Sequence, residues 1–172
     1  MTTFAIVTTL LSLALFGGFV GIGVRKFSLL PSYSAYASKW KEAVPINRET
    51  NLWGIVTVAT ALLLAPALIE KASGNPLQCL GFFAPVYLAV VAFTPDFETN
   101  RRQLRFHVIG TALCAAVSLA WIIFVCHTWW TLPLTFFAAW CVAYATLSVK
   151  RCWLFWCEMA MFAAVYVSLL IP

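Results

Sequence analysis

Apolar residues in this chain run in long blocks, and polar ones gather in short breaks between them. Six blocks stand out, at about residues 4–24, 52–69, 77–93, 106–126, 132–149 and 152–171. A helix that crosses a bilayer needs roughly 20 mostly apolar residues, so the pattern predicts six transmembrane helices. The third block is the shortest and needs its flanks to reach the membrane surface. The longest break, residues 25–51, holds Pro31 and Pro45. Residues 1–172 therefore read as one transmembrane domain, an all-α polytopic bundle with nothing left over for a soluble domain.

Composition agrees with the pattern. The 172 residues are 63% hydrophobic and 10% charged, where a soluble domain carries about 25% charged residues. A soluble core of this size has no room for that much apolar side chain. The net charge of +5 rests on too few, too scattered cations for nucleic-acid binding. Those cations report orientation instead. With six spans, Arg25, Lys26, Lys39, Lys41, Arg48, Arg101, Arg102, Arg105, Lys150 and Arg151 share one face, and Lys71 alone takes the other. Positive charge marks the cytoplasmic side. Both termini then lie outside, in a bacterial inner membrane. The first block has no cation before it and Arg25 and Lys26 after it, so it reads as a span and not as a cleaved signal peptide.

Other features refine this picture. Trp129 and Trp130 occupy an outer turn, Trp40 and Trp53 flank the first inner loop, and Trp153 and Trp156 begin the last span. All are expected as interfacial anchors or packing residues. Gly17 and Gly21 form a GxxxG that admits close helix approach, within the chain or between copies. Gly110 opens the small-residue run "GTALCAA", which suits a tightly packed neighbour. Pro66 and Pro85 fall inside spans, and Pro133 lies near the end of one. Tyr33, Ala37 and Trp40 would share one stripe of a short amphipathic helix on the inner leaflet, with Lys39 and Lys41 at its edge. Of the six cysteines, none shows CxxC spacing. Cys79 and Cys126 fall at the same face and are candidates for a disulfide.

Candidate chemistry sits in "TPDFETNRRQLRFHVIG" (residues 94–110) and around Glu158. An ionisable group inside a membrane is costly and marks a functional hypothesis. Glu158 lies about 10 Å along its helix from Arg151. Its expected partners are His107, Arg105, Tyr144 or Ser148. Asp96 and His107 fall close enough for the carboxylate to fix the imidazole tautomer. Glu158, His107, Asp96 and Arg105 are the candidate ligand or ion site. Arg101, Arg102, Lys39 and Lys41 are candidates for lipid phosphates or a protein partner. His107 and His127 bracket one helix, about 30 Å apart by helix rise, so no metal centre and no other cofactor is expected.

The segments "PSYSAY", "TPDF" and "HVIGTA" resemble small six-helix membrane proteins of Bacteroidetes-type bacteria. More distantly they resemble the DUF998 and Frag1/DRAM-like group, which implies a six-helix bundle and no particular activity. A remoter likeness to the ceramidase-like hydrolases carries over Ser34, Asp96 and His107, without the further histidines that bind zinc in that family. The leading reading is a non-enzymatic membrane protein, alone or as an oligomer. It binds lipid, or passes a small solute or ion, through a polar cavity near the cytoplasmic face. One alternative is a membrane-embedded lipid hydrolase with His107 as base, Asp96 orienting it, and Ser34 as nucleophile. Another is an accessory subunit of a larger membrane complex.

Overall fold

The computed structural model describes residues 1–44, 46, 51–94 and 96–171. Pro45, Arg48 and Pro95, which enter the sequence reading above, lie outside them. Among the described residues the chain is all-α, without strands. Its helices are α1 (Thr3–Phe27), α2 (Tyr36–Ala43), α3 (Leu52–Lys71), α4 (Cys79–Ala92), α5 (Arg101–Ala120), α6 (Thr131–Ala145) and α7 (Val149–Leu170). A π-helical turn, Trp121–Val125, continues α5, and its Trp121 carbonyl accepts from the Cys126 N–H.

Each expected apolar block overlaps one of the six longer helices. Four of these, α1, α3, α5 with its π turn, and α7, are long and apolar enough to cross a membrane. The other two, α4 and α6, have 14 and 15 residues, about 21 and 23 Å of helix rise. Local chemistry sets the ends. Asn51 caps α3 by accepting from the Gly54 N–H at 2.7 Å. Asn100 accepts from the Arg102 and Gln103 N–H groups, so α5 starts five residues earlier than the apolar pattern alone suggests. A side-chain oxygen that satisfies orphan N–H groups in the first turn is what fixes such a start.

The helices α1, α3, α4 and α5 pack in that order, each on the next, and α6 packs against α7. The α6–α7 hairpin meets the row chiefly through α7, which touches α1, α3 and the π turn. Two glycines allow the closest approaches. A Cβ on Gly81 would sit 2.5 Å from the Leu68 carbonyl oxygen, and one on Gly54 would sit 2.9 Å from that of Ala92. The Gly110 run behaves as its composition implies, since a Cβ there would press on Val91 at 3.1 Å. Gly17 and Gly21 differ from that pattern. Both are exposed and face open space, so among the described residues this GxxxG packs on no other helix.

The outside of the bundle is apolar. Phe82, Phe106, Ile109, Phe137 and Trp140 are all more than half exposed. In water such a surface would be a large liability; in hydrocarbon it costs nothing.

Candidate functional site

Residues 28–35 leave α1 and lie along α7, and three contacts fasten them. The Cys152 thiol lies 3.7 Å from the Leu29 carbonyl oxygen, the Phe155 N–H donates to the Pro31 carbonyl at 2.9 Å, and the Tyr33 N–H donates to Glu158 Oε2 at 2.6 Å. Cys152, Phe155 and Glu158 are spaced by three and so share one helix face. The middle contact needs a free backbone donor in α7. Cys152 departs from helical geometry, with φ −126° and ψ 29°, and Phe155, at the next turn, bonds outward.

Tyr33 fills the space between α1, α3 and α7. Its ring centroid lies 5.3 Å from Phe16 and 5.5 Å from Trp53. The Thr57 hydroxyl donates to the Trp53 carbonyl at 2.8 Å, so the Tyr33 O–H is the donor in its 2.9 Å bond with Thr57. Burial pushes the Tyr33 phenol up from its ordinary range, because the phenolate would lose its hydration.

Next to Tyr33 a cleft of about 200 Å³ opens between α3, α4, α5 and α7. Along α3 it runs from Trp53 to Leu68, about 22 Å by helix rise. Leu64, Leu88, Phe162 and Val165 are among its apolar walls, and Glu158, Ser34 and Tyr33 stand at its Trp53 end. Two wall residues carry unsatisfied polar atoms. The Trp53 Nε1–H and the Thr111 hydroxyl are buried without a hydrogen-bond partner among the described residues. Such groups are expensive to leave unpaired. Among the described residues only Oε2 of Glu158 is engaged there, by Tyr33. The cleft thus has one carboxylic side chain in its lining, and two of its wall residues carry buried, unpaired donors.

Several expected pairings are replaced by others. Asp96 does not meet His107; it pairs with Lys41 Nζ at 2.5 Å, and its N–H donates to Gln103 Oε1 at 2.8 Å. The reason lies in the turn after α4, which directs Thr94, not Asp96, at the ring. His107 Nδ1 bonds Thr94 Oγ1 at 2.8 Å. That hydroxyl already donates to the Val91 carbonyl at 2.6 Å, so Nδ1 carries the proton and Nε2 is left as the acceptor. Phe97 stacks on the imidazole at 4.1 Å.

Among the described residues Glu158 bonds the Tyr33 N–H and none of its four expected partners, and Ser148 bonds Thr146 and Trp156 instead. Ser34 bonds Ser32 at 3.2 Å, and among the described residues no hydrogen bond joins Ser34, Asp96 and His107. Of the candidate ligand residues, Glu158 lines the cleft, while His107, Asp96 and Arg105 do not. Arg101, Arg102 and Arg105 are exposed, and Arg102 lies over the Phe106 ring at 5.9 Å. Lys39 pairs with Glu42 at 3.1 Å. Cys79 and Cys126 are free thiols.

The short amphipathic helix is present as α2, but its apolar stripe faces protein. Tyr33, Tyr36, Ala37 and Trp40 are all buried, with Trp40 stacked on Phe19 at 5.0 Å. Trp53 is likewise a core residue, so these two tryptophans take the packing role. Trp129, Trp130 and Trp153 are exposed. What the sequence reading missed is the Tyr33 N–H, Trp53 and Thr111. The backbone donor leaves no sequence signal, and an indole or hydroxyl becomes informative only when its lack of a partner is seen.

Fold and cleft together define an all-α chain with membrane-length apolar helices and an internal apolar slot. No protein-family model matches the chain, and no curated protein or solved structure matches it either.

Proposed function

We propose that this chain is a multi-pass protein of a bacterial inner membrane, with six crossings and both termini outside. Its cleft would hold a lipid-like ligand whose polar end meets Glu158. The observation that carries the reading is the pairing of a long apolar slot with a single carboxylate and two unsatisfied donors at its walls. Ligand sites are mostly apolar, with a few polar groups that set orientation. The slot's length of about 22 Å exceeds one leaflet's half of the hydrocarbon core, about 15 Å. It therefore suits a chain-like molecule better than a compact solute. Passage of an ion would call for polar groups along the whole path, and these walls are largely apolar.

The six-crossing reading takes α4 and α6 as spans completed by their flanking turns, and draws its orientation from the Lys and Arg bias. The likeness to DUF998-type proteins is compatible with such a bundle. Arg101, Arg102 and Arg105 would stand at the cytoplasmic headgroups, where each cation favours anionic lipid by about 1 kcal/mol. A catalytic reading has less support, since Ser34, Asp96 and His107 each bond elsewhere.

The test uses three probes of equal chain length: an n-alkyl amine, the matching alcohol and the matching fatty acid. Binding to the detergent-purified protein is read as a rise in Tm. The amine and alcohol should stabilise it and the fatty acid should not, because a second carboxylate would face Glu158. Glu158→Gln should abolish the advantage of the amine. Equal shifts for all three probes, unchanged by Glu158→Gln, would refute the reading.

A further inference from the structure

A second groove shares no lining residue with the cleft. It runs between α1 and the α6–α7 hairpin, has a volume of about 720 Å³, and is lined by Gly21, Leu147, Arg151, Phe155, Trp156 and Met159 among others. We propose that this groove is a binding site for a phospholipid with an anionic headgroup, the phosphate held by Arg151 and one acyl chain laid along α1. The inference rests on the membrane reading above and is independent of what occupies the Glu158 cleft.

Three observations carry it. Arg151 is the one Lys, Arg, Asp or Glu among the described residues that line the groove. Among the described residues its exposed side chain makes no ion pair or hydrogen bond. Guanidinium recognises phosphate in a bidentate manner that a lysine cannot reproduce. Arg151 also sits beside Lys150, at the face that gathers nearly all the cations, where basic pockets between helices hold anionic headgroups. The floor, finally, is smooth. Gly21 is exposed, and a Cβ there would meet nothing within 4 Å. In a bilayer an unfilled groove of this size would forfeit dispersion contacts along its whole lining, so hydrocarbon is the occupant that chemistry favours. Trp156 closes the headgroup end, its Nε1–H held by the Ser148 hydroxyl at 2.8 Å.

The experiment is native mass spectrometry of the detergent-purified chain titrated with phosphatidylglycerol or with phosphatidylcholine of the same acyl chains. The wild type should bind one phosphatidylglycerol more tightly than phosphatidylcholine. Arg151→Gln should cut that preference about five-fold, the effect of one interfacial cation. Arg151→Lys should lose less. Gly21→Leu, whose Cβ would meet nothing within 4 Å, should weaken both lipids. Soluble glycerophosphate should not displace the lipid, because it lacks the chain. A phosphatidylglycerol preference that survives Arg151→Gln, or lipid affinity that survives Gly21→Leu, would overturn the proposal, as would displacement by glycerophosphate alone. Failure of the chain to partition into membranes would instead defeat the membrane reading, so the two failures are distinguishable.

Discussion

Glu158 and Tyr33 stand 125 positions apart and meet through one hydrogen bond, in which the Tyr33 backbone N–H donates to Glu158 Oε2 at 2.6 Å. The bond ties the segment after α1 to the middle of α7 and sets a carboxylate at the end of an apolar slot. A carboxylate in such surroundings survives only when hydrogen-bonded.

The first prediction concerns that bond. Glu158→Ala leaves the Tyr33 N–H without its acceptor and should cost about 1–3 kcal/mol. Glu158→Gln keeps an acceptor oxygen and should cost clearly less. Denaturation of the purified variants in detergent checks the ranking, and equal losses would show that the bond contributes little.

Two sets of glycines should respond in opposite ways. Gly81→Ala would force a Cβ to 2.5 Å from the Leu68 carbonyl, and relief of such a clash typically costs 1–3 kcal/mol. Gly17→Ala and Gly18→Ala meet open space and should be neutral or stabilising by about 0.5–1 kcal/mol, the helix-interior cost of glycine. Tm values of the three variants measure the contrast.

The Lys41–Asp96 pair joins α2 to the turn after α4, with side chains 30% and 34% exposed. At that exposure solvent screens it, so a double-mutant cycle through Lys41→Met and Asp96→Asn should give a coupling of about 0.2–1 kcal/mol. The coupling should shrink in high salt. A salt-independent coupling of several kcal/mol would mean the pair is far less solvated than its exposure indicates.

Alkaline stability should track Tyr33. Its phenol is raised above the ordinary value of 10.0 by burial, so the folded state favours the neutral form. That contribution is complete below the unfolded pKa and is lost as pH rises beyond it. Stability should therefore fall above pH 10, and Tyr33→Phe should blunt the fall. The same change should cost about 1 kcal/mol at neutral pH through the lost bond to Thr57.

Much of the fold was legible in the sequence, because apolar blocks and polar breaks record where helices run. The six blocks overlap the six longer helices, and Gly110 packs as its neighbours imply. Helix ends were less legible. The start of α5 depends on Asn100, whose capping role competes with a polar run that looks like loop. The site was barely legible. Glu158 stood out because a lone carboxylate in an apolar helix is rare, but its partner is a backbone N–H, which every residue but proline carries. His107 attracted attention as a pair for Asp96, yet Thr94, two residues nearer the end of α4, makes the bond. Trp40 and Trp53 look like interfacial anchors because tryptophan commonly is one; α2 folding inward made them core. The Gly17–Gly21 motif shows the converse, a packing signal with no packing partner among the described residues.

Determination of the structure in a lipid bilayer tests the central claim most directly. The account predicts elongated density in the slot between α3, α4, α5 and α7, its polar end within hydrogen-bond reach of Glu158 and the Trp53 Nε1–H. A slot collapsed on its own side chains, with Glu158 bonded only within the protein, would contradict it.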